Sequence, residues 1–265
     1  MRWSDRRTDP DAEYLPERAR LEELGIELMS LEDERWWTAQ ARALLQKEGA
    51  PLPPCRLDPL GRDCVQRDHG QCPGACRVAL GRHNCDMLGS ALDYLEGHGG
   101  PFCFSTLIEP KWAKPQGQLA TFDLPRARRT LAQRFSRLGA SGYGGFGMFE
   151  FDYVPSAEGG GLWTPHLHLI TAGLTKPQAK EALHSPRLYP GHKPSETECI
   201  GLDELPYVLG YSTKRYASDR FCGRQPLRRD RQLEYERFAL QYRTSDFCFL
   251  VRLRRYGRNL VSPTL

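Results

Sequence analysis

"LWTPHLHLIT", residues 162–171, is a short apolar run carrying two imidazoles, His166 and His168, with one leucine between them. Side chains on an extended strand alternate faces, so the two rings point the same way, roughly 7 Å apart along the chain. A metal site begins this way, and so does an ordinary half-polar strand. The flanking sequence decides between them. Upstream, "FGMFEFDYV" (146–154) alternates as a second strand, and "PSAEGGG" between the two is turn chemistry. Together they predict a β-hairpin. With the turn around Gly159, position 150 lies opposite 168 and position 152 opposite 166. Directly opposed residues share a face, so Glu150 and Asp152 are expected beside the histidines. Two imidazoles and a carboxylate on one sheet face form a three-ligand cation site with open positions for water or substrate.

Outward from the hairpin, "PFCFSTLI" (101–108) reads as a buried strand and "DLPRARRTLAQRFSRLG" (123–139) as a helix. Asp123 is its expected N-cap, with Pro125 in the first turn and Gly139 as the stop. Further helices are expected at 175–184 and at 203–218, the latter capped by Asp203, and a last strand at 246–253. Strands alternating with helices, joined by a hairpin, predict an α+β domain over residues 98–265. Residues 1–97 form the other unit. There, Leu21, Leu24, Leu28 and Leu31 recur at helical spacing and predict a helix over 16–48, ended by "GAPLPPC".

Five of the nine cysteines, Cys55, Cys64, Cys72, Cys76 and Cys85, fall within 31 residues of a turn-rich stretch short of apolar side chains. Such a segment makes no core unless something holds it. Cys64, His69, Cys72, Cys76 and Cys85 supply enough soft ligands for a structural zinc, and Cys55 or His83 could substitute. The nearest to a paired motif is "CPGAC"; the alternative is a set of free thiols under the helix. Cys103, Cys199, Cys222 and Cys248 are expected in the core.

Composition is that of a soluble globular chain, with 40% hydrophobic and 26% charged residues. The N-terminus has no apolar signal-peptide core and no segment reaches membrane-spanning length, so a cytoplasmic protein with no membrane partner is expected. The net charge of +4 is unevenly placed. Residues 1–50 carry 8 basic and 12 acidic side chains, whereas residues 201–265 carry 13 basic, twelve of them arginine, and 7 acidic. A basic carboxy-terminal third suits a polyanionic partner.

Within that third, "YVLGYSTKRY" (207–216) puts Tyr207, Tyr211 and Lys214 on one helical stripe, with Tyr216 turned away. The stripe is either amphipathic packing or chemistry. A phenol is a poor nucleophile near neutrality, but it serves when a metal polarises the phosphate it attacks and an ammonium balances charge.

His166-Leu167-His168 resembles the His–hydrophobic–His motif of the HUH endonuclease superfamily, and Tyr211-Ser212-Thr213-Lys214 resembles the Tyr-x-x-Lys motif of its rolling-circle replication initiators and related transposases. "FCFSTLI" looks like the family's first motif, an apolar strand carrying Thr. The order, histidines before tyrosine, is that of the initiators rather than of the conjugative relaxases. The resemblance implies a central antiparallel sheet flanked by helices. It implies that His166 and His168, with Glu150 as third ligand and Asp152 in reserve, hold Mg²⁺ or Mn²⁺ against a scissile phosphate. Tyr211 would attack single-stranded or hairpin DNA at an origin or element end. A 5′-phosphotyrosine bond and a free 3′-OH would follow, initiating rolling-circle replication or transposition. Lys214 would position the metal, the tyrosine or the phosphate. In two-tyrosine members the second tyrosine follows the lysine; here its place on the helix face is taken by Tyr207, expected to pack rather than react. Some family members carry an N-terminal zinc-binding region, which the Cys-rich segment resembles. No P-loop is present, so a separate helicase would open the duplex. Two other readings start from the same residues: a DNA-hairpin-binding protein that has lost cleavage, and a metal-dependent phosphoesterase that does not use the tyrosine.

Overall fold

A computed structural model describes residues 14–50, 52, 69–156, 159–186, 193–213, 218–219, 225–257 and 259–262. Cys55, Cys64, Lys214, Tyr216, Cys222 and the His69 side chain lie outside them. The fold is α+β, a central, mostly antiparallel sheet with helices on both faces.

The sheet is built on the hairpin of β3 (Gly144–Pro155) and β4 (Gly161–Ala172), paired over their full twelve-residue lengths. Gly159 and Gly160, both at positive φ, make the turn, closed by Ser156 N–H donating to the Gly160 carbonyl at 3.0 Å. The register pairs Glu150 with His166 and Met148 with His168, two residues away from the register expected from a turn at Gly159. The ladder is centred one residue earlier in the chain than that expectation placed it. A shift of two keeps every side chain on its face, so Glu150 and both imidazoles still share one.

On β4's other side lies β1 (Phe102–Leu107), followed by β5 (Ser195–Ile200) at the edge. The short β2 (Lys114–Pro115) also pairs with β4. Beyond β3 lie β6 (Ser218–Asp219), its one parallel neighbour, then β7 (Gln225–Pro226), while β8 (Cys248–Val251) pairs with the first half of β3. A separate hairpin joins β9 (Arg254–Tyr256) to β10 (Asn259–Val261).

Odd positions of β3 and β4 face an aromatic core. Phe151 sits within ring contact of Phe122, Tyr235, Phe238 and Phe247, and Tyr153 packs on Trp163. That face is covered by α4 (Leu124–Ser136) and α7 (Arg229–Ala239), with α5 (Lys176–Ala182) beyond α4. Asp123 caps α4 as expected, accepting from the Arg126 amide at 2.8 Å.

Even positions face α3 (Arg77–His98) and α6 (Leu205–Ser212). Helix α3 departs from the turn-rich reading of residues 55–86. It is buried over most of its length, because α1 (Tyr14–Glu23) and α2 (Leu31–Lys47) wrap its outer side. The polar residues that disguise it in sequence are partnered inside: Arg77 meets Glu236 at 2.9 Å, and Thr38 of α2 accepts from the Arg77 and Val78 amides at the helix start. The single helix expected over 16–48 is two. Gly25 at φ +78 ends α1, and Ser30 opens α2 by accepting from Asp33 N–H at 3.0 Å. Helix α6 is also shorter than the expected 203–218. It begins after Glu204 rather than at an Asp203 cap, and Thr213 closes it. Cys103 and Cys248 are buried as expected, but Cys199, on edge strand β5, is exposed.

The Arg77–Glu236 pair is almost wholly buried, so removing one partner strands the other charge. Arg77→Met should cost about 3–5 kcal/mol in denaturant unfolding, most of it recovered in the double variant with Glu236→Leu. Equal stability of Arg77→Met and the parent would show that the pair is not held as described.

Candidate metal centre

His166 and His168 are 3% and 4% exposed, and their rings meet edge-on at 4.9 Å. Each imidazole is oriented through Nδ1. His166 Nδ1 lies 3.1 Å from the Thr164 carbonyl, which can only accept, so Nδ1 donates there and Nε2 is left to face Glu150, as a donor when the ring is charged and with a lone pair when it is neutral. His168 Nδ1 lies 2.9 Å from Thr106 Oγ1, directly across on β1. Both Nε2 atoms thereby turn toward one carboxylate oxygen, Glu150 Oε2, at 3.5 Å and 3.7 Å.

Among the described residues these three donors are the group of His, Cys, Asp and Glu whose ligand atoms converge, all within 4.8 Å of one another. A divalent ion with ligands at about 2.1 Å holds neighbouring ligand atoms about 3.0–3.4 Å apart, so the two separations from Glu150 need only a small contraction to admit one. Two imidazoles and a carboxylate fit a divalent cation and leave coordination positions open. Asp152, two residues along the same face and opposite Thr164, is buried but is not part of the converging trio.

Electrostatics agree with a site built for positive charge. Burial alone would lower the pKa of His166, but the hydrogen bond and charge of Glu150, with Asp152 behind it, outweigh burial and raise it. Backbone fit tightens the arrangement: a Cβ at Gly147 would come within 2.4 Å of the His168 carbonyl, so glycine lets β3 lie close against β4 here.

Helix α6 delivers Tyr211 to this face, its ring 5.0 Å from His168 and 5.9 Å from Phe104. Phe104 also stacks on His168 at 5.7 Å, so one aromatic side chain fixes both. Tyr207, one turn earlier, is 73% exposed and does not pack. Sequence reading therefore finds His166, His168, Glu150 and Tyr211, which the structure brings together. It overlooks Phe104, whose apolar side chain carries no chemical signal, and gives Thr106 no role.

Cys72, Cys76 and Cys85 are buried, and Cys76 Sγ caps α3 by accepting from the Ala79 amide at 3.4 Å. No helix among the described residues is long and apolar enough to cross a membrane. Comparison of the chain with protein-family models, with curated proteins and with solved structures found no match.

Mn²⁺ binding followed by calorimetry should be abolished by His168→Ala and weakened about 10–100-fold by Thr106→Val, which removes only the orienting hydroxyl. Asp152→Asn should bind nearly as the parent does. If Asp152→Asn is the damaging change, the third ligand has been misassigned.

The pH dependence has a definite sign. A raised His166 contributes stability below its ordinary pKa of about 6.5, and that contribution is lost as pH rises through the folded value. The ion takes over the proton's place beside Glu150, so the rise in melting temperature on adding Mn²⁺ should be larger at about pH 8 than at about pH 6.

Proposed function

We propose that this chain is a metal-dependent enzyme that nicks and rejoins single-stranded DNA, with Tyr211 as the nucleophile. One observation carries the reading: a tyrosine from a separate helix stands 5.0 Å from the ring of His168, on the face where two imidazoles and a carboxylate converge. A phosphoesterase that does not use the tyrosine leaves that placement without a purpose. The resemblance to the HUH endonucleases in the order of His166-Leu167-His168 and Tyr211-x-x-Lys214 supports the same chemistry, as does the arginine-rich carboxy-terminal third.

In this reading Glu150, His166 and His168 would hold Mg²⁺ or Mn²⁺, which would supply Lewis-acid polarisation of the scissile phosphate. The Tyr211 oxygen attacks phosphorus and loses its proton. The bond from phosphorus to the 3′ oxygen breaks, and that oxygen leaves as a 3′-hydroxyl after gaining a proton. The 5′-phosphate stays esterified to Tyr211, which conserves the bond for rejoining when a 3′-hydroxyl attacks in turn. Thr106 and the Thr164 carbonyl fix the ligand imidazoles, while Phe104 fixes the tyrosine ring against His168. Lys214, three residues after Tyr211, is assigned the balancing of phosphate charge. Such an activity initiates rolling-circle replication or transposition and needs a separate helicase on duplex DNA. Cys72, Cys76 and Cys85 form no converging group among the described residues, so a structural zinc in the Cys-rich segment would need the ligands that lie outside them, Cys55, Cys64 and His69.

The test is incubation with end-labelled single-stranded DNA pools and Mn²⁺, resolved on a denaturing protein gel. Label should migrate with the protein, require metal, and fall by at least about a thousandfold in Tyr211→Phe. Tyr207→Phe should stay within about twofold of the parent. An adduct that persists in Tyr211→Phe, or forms without metal, would refute the assignment.

A further inference from the structure

The β9–β10 hairpin has one face spoken for and one face open. Its inner face carries Leu260, buried against α3, and Arg255, which reaches Asp86 at 3.5 Å and His83 Nδ1 at 3.4 Å. The outer face carries Arg254 opposite Val261 and Tyr256 opposite Asn259. Tyr256 is 79% exposed, and among the described residues it has no hydrogen bond or ring contact. Arg254 is exposed and makes no ion pair among them. From residue 248 to the end at 265 the chain has four arginines and no acidic side chain.

A bare phenol ring costs solvation and contributes nothing to the core. A two-stranded ribbon that holds it beside an unengaged guanidinium, with its back face anchored, matches what unpaired nucleic acid needs: a flat π surface for a base and a fork for phosphate. The anchor also ties this ribbon to the sheet. His83 meets Cys248 Sγ at 3.5 Å with its other nitrogen, and Cys248 is paired through Met148 to His168.

We propose that the outer face of the β9–β10 hairpin is a single-strand DNA contact, with a base stacked on Tyr256 and the adjoining phosphate held by Arg254. It rests on the DNA reading above, and it locates a hold on the strand away from the reacting phosphate. Charge and exposure select this occupant: Arg254 beside Tyr256, in a segment with four arginines and no acid, suits a phosphate rather than a basic protein, and a stacking ring gains little from the backbone exterior of a closed duplex.

Binding of the full chain to fluorescein-labelled oligo(dT) is measured by anisotropy in EDTA, so that metal chemistry plays no part. Tyr256→Ala should weaken binding about five- to a hundredfold, and Tyr256→Trp should restore it. Arg254→Ala should lower the slope of log affinity against log salt by about 0.7. A 5-iodouracil oligonucleotide should cross-link to Tyr256 on irradiation. Unchanged affinity in Tyr256→Ala, failure of tryptophan to rescue, no binding by the parent, or preference for duplex would each overturn the proposal. The tyrosine adduct assay separates it from the nicking reading. An adduct at Tyr211 with binding indifferent to Tyr256 sinks the hairpin contact alone. Binding that depends on Tyr256 with no adduct from any DNA sinks the chemistry alone.

Discussion

Everything at the candidate site depends on one backbone pairing, Glu150 opposite His166 in the β3–β4 ladder. Side chains on a strand have only two directions, and that register sends a carboxylate and two imidazoles the same way. A slip of one residue would put Glu150 among the aromatics and a phenylalanine beside the histidines. The slip is prevented by the opposite face, where Phe149, Phe151, Tyr153 and Trp163 are buried and would be expelled into the site. The hydrophobic core thus sets the register, and the register sets the ligand geometry.

Burying a carboxylate with two imidazoles is unfavourable unless charge is balanced. The structure offers two ways to balance it, a proton on His166 or a cation between the three donors. The orienting bonds from Thr106 and the Thr164 carbonyl leave both Nε2 atoms directed at the same carboxylate oxygen, where a cation would meet all three donors. Tyr211 depends on more distant packing. Leu205 and Leu209 bury α6, and a Cβ at Gly210 would meet Ile26 and Glu27 at 3.3–3.6 Å. The turn between α1 and α2 therefore rests on the residue next to Tyr211, so the amino-terminal helices help to hold the tyrosine in place.

The hairpin, α4 with its Asp123 cap, and the shared face of His166, His168 and Glu150 were all legible in the sequence, because period-two alternation and capping chemistry are local signals. The two-residue offset in register was not, since it depends on how tightly "PSAEGGG" turns. Helix α3 was hidden because its polar side chains, Arg77, Arg82, His83 and Asn84, read as solvent-facing until their partners in distant elements are known. The break at Gly25 had a readable signal, a glycine followed by Ser30 and Asp33, which the longer leucine spacing masked. Tyr207 and Tyr211 were indistinguishable by spacing alone. Only the position of α6 over β4 turns one toward His168 and leaves the other in solvent.

The central claim is that this face is a metal centre with Tyr211 beside it. Crystals grown with Mn²⁺ and measured at its absorption edge test that most directly. The account predicts an anomalous peak about 2.1 Å from Nε2 of His166, Nε2 of His168 and a Glu150 carboxylate oxygen, with the Tyr211 side chain bordering its open side. A peak confined to other residues, or none at saturating Mn²⁺ with the imidazoles in place, would contradict it.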